Sequence, residues 1–342
     1  MKKKSSSSDA FSEFLSLFKS SRHVDAFKSH AYALVFYKYL SDNFEDYVSE
    51  FLIDKNFTMS EAFSDNEIKV YLKKSALDDL GYFIDFEYLY SHILIDENGN
   101  HDFNVRKLDD ALNSIASSSK GYGSESVFLH VFDNVDWFNP QMSKIVKDKR
   151  SFIIDLIKHI ALFDDEYPLS YYFEKLIYFF DENEKSKEDN LTVKEISFLI
   201  SKIATVDRSE AESIYDPFLG TAMNLIDIAK EIPVASVYGQ ELDLEKYNLA
   251  LMNLIIHDFS YKEIDIVFGD TITEPKHLSK KFDIIVSEPP RGLKNKLDPA
   301  DLKGTERFRG YKLPDNLSRS EFLLLVHMIY HLKDDGTVVS VI

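Results

Sequence analysis

A chain of 342 residues, 44% hydrophobic and 29% charged, is long enough for two domains with separate cores. The absence of cysteine excludes disulfides and thiolate metal sites and fits a reducing cytoplasm. No apolar run approaches the length of a membrane span, and the basic start Met1-Lys-Lys-Lys-Ser-Ser-Ser-Ser lacks the apolar centre of a signal peptide. A formal net charge of −18 argues against strong unaided DNA binding, which phosphate contacts reward with a basic face. The same acidity serves solubility equally well.

Residues 9–184 read as helical. Apolar positions recur at helical spacing over residues 30–42, 107–115, 152–162 and 171–180. Turn compositions interrupt them at Asp96-Glu-Asn-Gly-Asn-His101 and Ser117-Ser-Ser-Lys-Gly-Tyr-Gly123. With 27 Phe and 19 Tyr in the chain, the repeated aromatics here read as core. The charged run Asp181-Glu-Asn-Glu-Lys-Ser-Lys-Glu-Asp-Asn190 reads as a link, dividing a helical domain over 1–184 from a second domain over 185–342.

Beyond the link the period changes. A helix is expected over 192–204, with Thr192 as N-cap and Glu195 at capping-box spacing. Short β runs at 213–216, 236–238, 264–268, 282–286 and 337–342 then alternate with helices at 223–231, 245–256 and 321–332. That alternation predicts an α/β fold with a parallel, doubly wound sheet. Ligands of such sheets lie at the carboxyl ends of the strands, beside the point where strand order reverses.

The candidate site residues fall at those ends. Asp216 closes the first strand in Ser213-Ile-Tyr-Asp-Pro-Phe-Leu-Gly-Thr-Ala222. Gly220 allows a tight turn, and the helix expected from about Thr221 presents free N–H groups to a polar ligand. Glu241 ends the second strand, where a carboxylate can accept from both hydroxyls of a ribose. Asp270 ends the third, where an acid can accept from an exocyclic adenine amine. Ser287-Glu-Pro-Pro290 ends the fourth; its prolines stiffen the backbone and leave carbonyls as acceptors for a second amine. Taken singly, each is also an ordinary βα turn, strand-end acid or rigid strand exit. The ten His show no metal-ligand pairing, and the i, i+4 pair His327 and His331 lacks a carboxylate between them, so both read as helix-surface or core residues. No P-loop occurs.

Several segments together resemble the modification (methyltransferase) subunit of type I restriction–modification systems. They are Ala33-Leu-Val-Phe-Tyr-Lys-Tyr-Leu-Ser-Asp-Asn-Phe-Glu45, Leu80-Gly-Tyr-Phe-Ile84, Val131-Phe-Asp-Asn-Val-Asp136, Tyr238-Gly-Gln-Glu-Leu242 and Tyr247-Asn-Leu-Ala-Leu-Met-Asn-Leu254. The resemblance covers almost the whole chain. It implies a helical N-terminal domain that docks DNA or partners, and a Rossmann-like domain that transfers a methyl group from S-adenosylmethionine to adenine N6 in DNA. It implies as partners a specificity subunit, a restriction subunit and, through the complex, DNA. Thr192, Asp216, Gly220, Thr221, Ala222, Glu241 and Asp270 would then face the cofactor. Glu288, Pro289, Pro290 and Arg291 would face the target base.

The chain also departs from the family. Asp216-Pro-Phe-Leu-Gly-Thr-Ala222 ends in Ala222 where the family has glycine, and a Cβ there is expected to crowd the methionine half of the cofactor. Of the family's Phe-Tyr-Thr-Pro only Thr192 remains. Glu288-Pro-Pro-Arg291 stands for Asn-Pro-Pro-Phe/Tyr: Glu288 accepts a hydrogen bond as Asn does but is a methylene longer, and Arg291 replaces a stacking ring. The residues stop at Ile342, in the expected fifth strand, where the family has more strands; either the sheet is incomplete here, or a partner or a further segment covers its edge. Two functions follow: an adenine-N6 methyltransferase subunit, or a catalytically inactive assembly module that keeps partner binding.

Overall fold

The computed structural model describes residues 7–18, 21–54, 57–94, 103–140, 142–163, 167–183, 194–289, 302, 305–311 and 321–341. The turn expected at 96–101, the link over 184–190 and the site residues Thr192, Pro290 and Arg291 lie outside them. The chain divides into two compact units, Met1–Lys185 and Ser186–Ile342.

All regular elements described in the first unit are helical: α1 (Ser7–Ser16), α2 (Ser21–Leu52), α3 (Met59–Ser64), α4 (Asn66–Asp79), α5 (Val105–Ser118), α6 (Glu125–Phe128), α7 (Met142–Ile145), α8 (Lys149–Ile160) and α9 (Leu169–Asn183), with short 3₁₀ turns between α4 and α5. α2 is the axis of this unit. Ala31, Leu34, Phe36, Tyr37, Leu40, Phe44 and Val48 are fully buried, so it is covered on more than one side. It packs against α8 and α9. The aromatics are core, as expected: Phe44 meets Phe83 edge-on at 5.4 Å, and Phe18 meets Phe180 at 4.9 Å. Buried phenols find carbonyls, with Tyr82 donating to Leu40 (2.9 Å) and Tyr90 to Ile157 (2.9 Å). Local polar residues start the helices. Asp65, Asn104 and Asp148 cap the first turns of α4, α5 and α8 through their side-chain oxygens.

The second unit holds α10 (Lys194–Ala204), β1 (Ala211–Asp216), α11 (Met223–Glu231), β2 (Val234–Glu241), α12 (Leu244–Ile256), β3 (Ile264–Phe268), β4 (Phe282–Ser287), α13 (Glu321–Tyr330) and β5 (Leu332–Ser340). The sheet runs β3-β2-β1-β4-β5 and every pair is parallel. The chain winds outward from β1 to β3, then returns to the other side of β1 with β4. Strand order therefore reverses between β1 and β4, where Tyr215 pairs with Ile285. β5 begins earlier than the apolar run at 337–342 predicts, because its polar start over 332–336 joins the strand through a register irregularity opposite Phe282 and Ile284.

Successive strand residues face opposite ways. Tyr215 and Ile285 pack with Phe282 against Leu324 and Met328 of α13. The neighbouring residues Ile214 and Ile284 point to the other face, and α11 packs on β1 and β4 and α10 on β4 and β5. β4 is buried at all six positions, which is the signature of a strand covered on both faces. This core holds the strand tips in register, and it is tightly packed around Gly239. A Cβ built there lies 2.8 Å from Leu219 Cδ1 and 3.0 Å from Ile266 Cδ1. A Gly239→Val change therefore overfills the sheet beneath the turn after β1. Chemical denaturation of this variant is expected to show a loss of about 1–3 kcal/mol.

Candidate active site at the strand ends

Three acids expected from the sequence to share a ligand stand at the carboxyl ends of adjacent strands: Asp216 on β1, Glu241 on β2 and Asp270 just beyond β3. Register fixes their neighbourhood, since Asp216 pairs with Gly239 and Glu241 with Phe268. Hydrogen bonds stitch the turns beyond the strands to one another. Leu219 N–H donates to the Gln240 carbonyl (3.1 Å), and Gly269 N–H to the Glu241 carbonyl (2.9 Å). Thr271 Oγ1 donates to the Pro217 carbonyl at 2.5 Å. The three tips thus form one connected crest.

Asp216 is fully buried. Its Oδ1 accepts from Phe218 N–H (3.0 Å) and its Oδ2 from the Asn224 amide (3.2 Å). Burial pushes its carboxyl up to about 8, and the nearby charge of Glu241 adds to the rise, against the hydrogen bonds from Asn224 and Phe218. Glu241 is half-buried, and burial likewise raises its carboxyl despite three amide donors. Gly220 N–H donates to Oε2 at 2.8 Å; Leu242 and Asp243 N–H donate to Oε1 at 2.9 and 2.8 Å. A carboxylate has about four lone-pair directions, so little remains for ribose hydroxyls beyond Oε2. Asp270 Oδ1 caps its own turn, accepting from Ile272 N–H (2.7 Å) and Thr273 N–H (3.2 Å).

The turn between β1 and α11 carries two consecutive demands on backbone shape. Gly220 has φ +57° and Ala222 has φ +64°. Glycine meets the first without cost. Ala222 caps α11 in the left-handed region and is completely buried, so the alanine sits where a Cβ is disfavoured by roughly 1–2 kcal/mol. The helix starts at Met223, where the periodicity places it. Thr221 is buried and its carbonyl accepts from the Asn253 amide of α12 at 2.7 Å.

Across the strand-order reversal, Glu288 is the first residue after β4 and Pro289 behind it is buried. Glu288 Oε2 is buried and takes no hydrogen bond among the described residues. Asn224 Oδ1 is in the same state, its amide nitrogen being occupied by Asp216. Among the described residues, none of Asp216, Glu241, Asp270 and Glu288 forms an ion pair. Among the described residues the crest is therefore rich in acceptors, and it suits a ligand bearing N–H donors.

Sequence reasoning missed Asn224, Asn253, Thr271 and Arg307. The two Asn carried a signal: each is a polar residue inside an apolar helical run that faces the strand ends. Among the described residues no group of three or more His, Asp or Glu could hold a metal, and no described helix is long and apolar enough to cross a membrane. His327 and His331 are fully buried.

A family model for the N-6 DNA methylase matches residues 165–342, and one for the HsdM N-terminal domain matches residues 17–160. The methylase subunit of the type I restriction enzyme MpnII from Mycoplasma pneumoniae is 26% identical over 92% of this chain and 63% of its own length. That of HindI from Haemophilus influenzae is 28% identical over 41% of this chain and 32% of its own. The crystal structure of the type I restriction–modification methyltransferase subunit from Streptococcus thermophilus superposes with a TM-score of 0.83 at 22% identity, covering 98% of this chain and 74% of that one, which establishes the shared fold. The chain spans less than two thirds of the MpnII subunit. The class is that of Rossmann-like methyltransferases with a helical N-terminal domain. Within it, the chain belongs to the N-6 DNA methylase family.

Two outcomes follow from this geometry. Asp216 keeps its proton in the folded state well above the pH at which the unfolded chain loses it. Stability therefore falls as pH rises from about 4 to about 8, and levels off above. In Asp216→Asn the Asn224 amide can turn its free oxygen to the new N–H₂. Thermal unfolding is expected to place this variant above the wild type at pH 8, with the gap closing towards pH 4. At position 222, Gly relieves the left-handed strain while loosening the unfolded chain by about 0.4–1 kcal/mol, and the two nearly cancel. Urea unfolding should put Ala222→Gly within about 1 kcal/mol of the wild type. Ala250→Gly, buried within α12, should lose more than about 1 kcal/mol.

Proposed function

We propose that this chain is the modification subunit of a type I restriction–modification system and transfers a methyl group from S-adenosylmethionine to adenine N6 in DNA. The observation that carries the reading is the crest itself: Asp216, Glu241 and Asp270 on adjacent strand tips, tied by Leu219–Gln240, Gly269–Glu241 and Thr271–Pro217 hydrogen bonds. In this reading Asp216, Gly220, Thr221, Ala222 and Glu241 hold the cofactor, with Thr192 assigned to the same site from the sequence. Asp270 receives the cofactor's adenine. The bound cofactor supplies an electrophilic methyl group.

The chain's own residues do the rest. The target adenine is turned out of the duplex. Its amine is conjugated to the ring and is a weak nucleophile. Glu288 and the Pro289 carbonyl accept its two N–H groups, which turns the nitrogen lone pair towards the methyl group. The orphaned Oε2 of Glu288 is suited to that task. Pro290 and Arg291 are assigned to the same segment from the sequence; Arg291 replaces the family's stacking ring, and its guanidinium suits pairing with Glu288 or a phosphate more than stacking. Attack is a direct in-line displacement with no covalent enzyme intermediate. DNA reaches this acidic chain through a complex with a specificity subunit, to which a restriction subunit attaches, in the cytoplasm.

A second reading has its own support. Ala222 in a left-handed conformation and Glu288 for Asn both alter the site, and an assembly module would tolerate both. Calorimetry with S-adenosylmethionine, followed by methyl transfer to DNA by the complex containing this chain, separates the two. Micromolar binding and labelled adenine are expected. Partner association without cofactor binding selects the assembly module. In an intact but slow site, the combined change Glu288→Asn, Arg291→Phe, Ala222→Gly raises turnover by about tenfold or more, since misplacement of about 1 Å costs around a hundredfold.

A further inference from the structure

Arg307 lies in the 3₁₀ turn Glu306–Phe308, between β4 and α13. It is 2% exposed. A buried guanidinium is expected beside a carboxylate. Its described hydrogen bonds go elsewhere: Nη1 donates to the Thr271 carbonyl (3.1 Å) and Nη2 to the Ile272 carbonyl (2.7 Å). The end of the fork thus spans two consecutive carbonyls of the turn that Asp270 begins. Nη1 also lies 2.8 Å from His327 Nδ1. An arginine only donates, so Nδ1 accepts, and the ring proton sits on Nε2, which points at Tyr215 Oη 3.1 Å away. Tyr215 belongs to β1, next to Asp216. The chain of contacts therefore runs from the centre of the sheet, through a histidine of fixed tautomer, to the Asp270 turn.

That turn is held from three directions. Asp270 Oδ1 caps Ile272 and Thr273 from within, Thr271 Oγ1 fastens it to Pro217, and Arg307 pulls on its carbonyls from outside. Asp270 Oδ2 takes no hydrogen bond among the described residues, so it is the oxygen left for a base amine. We propose that Arg307 is a positioning residue for base recognition: by gripping the Thr271 and Ile272 carbonyls, it aims the free oxygen of Asp270 at the exocyclic amine of the cofactor's adenine. The inference rests on the cofactor reading above. It assigns no chemistry to Arg307 itself.

A purely structural role and this one differ in what they do to ligand choice. S-adenosylhomocysteine carries the amine; S-inosylhomocysteine carries a carbonyl oxygen in its place. Calorimetry with both ligands on the full chain, wild type and Arg307→Met, measures the coupling. The wild type is expected to prefer the amine-bearing ligand by about tenfold or more, the scale of one hydrogen bond with its acceptor otherwise stranded. The preference is expected to fall to about one in Arg307→Met. Arg307→Lys keeps the charge but reaches one carbonyl, not both; it carries the test if the Met variant fails to fold, and should show an intermediate preference. A lowered melting temperature with an undiminished preference overturns the proposal. A wild type that binds both ligands equally overturns the assignment of Asp270 to the amine. A wild type that binds neither overturns the cofactor reading.

Discussion

The structure turns on the closure of three strand tips into one hydrogen-bonded crest. A parallel sheet ends every strand on the same edge, so it collects there whatever polar residues terminate the apolar runs. In this chain those residues are acids, and they are not left to solvent. Asp216 is fully buried and Glu241 half-buried, with amide N–H groups of the turns directed at both. Burying like charges side by side is unfavourable unless donors or protons compensate. Here both compensate: amides supply donors, and the raised Asp216 carboxyl supplies a proton. The crest is thus an acidic rim in which, among the described residues, Asn224 Oδ1 and Glu288 Oε2 take no hydrogen bond.

Rigidity of that rim comes from beneath. Tyr215, one residue before Asp216, is packed among Phe282, Ile285, Leu324 and Met328 and bonded to His327. Gly239, opposite Asp216, leaves room for Leu219 in the turn between β1 and α11. The same strands therefore set both the core and the site. Displacing a core side chain moves a turn that a ligand would touch. Preorganisation of this kind is what a site for a small, precisely oriented reactant requires.

Much of this architecture was legible in the sequence, for a physical reason: the strands of the second unit are short apolar runs that stop abruptly at Asp, Glu or Pro. β3 and α11 lie where the periodicity puts them, and β1, β2 and β4 extend the runs by a few residues. β5 was half legible, because Lys333-Asp-Asp-Gly336 has turn composition while the strand takes it in at a register irregularity. Strand-end acids announce themselves by position. What stayed hidden was long-range. Arg307 gives no local sign that its partners are the carbonyls of Thr271 and Ile272 and a histidine one helix away. The left-handed conformation of Ala222 was equally silent, since alanine advertises the opposite.

The altered positions divide by what they do to the site. Ala222 strains the backbone of the turn but leaves its bonding intact: its N–H still donates to Leu219, and Glu241 still receives Gly220. Such a change leaves the hydrogen bonds of the turn in place at little net cost in stability. Glu288 is different in kind. It keeps an acceptor at the end of β4 but adds a carboxylate to a rim that already holds Asp216, Glu241 and Asp270. Each added acid raises the cost of keeping the others ionised, and each favours a ligand that brings positive charge. Under the proposed function, a sulfonium-bearing cofactor would meet that condition and a neutral analogue would not, so the longer side chain of Glu288 would weaken the fit to a target amine while favouring a charged cofactor.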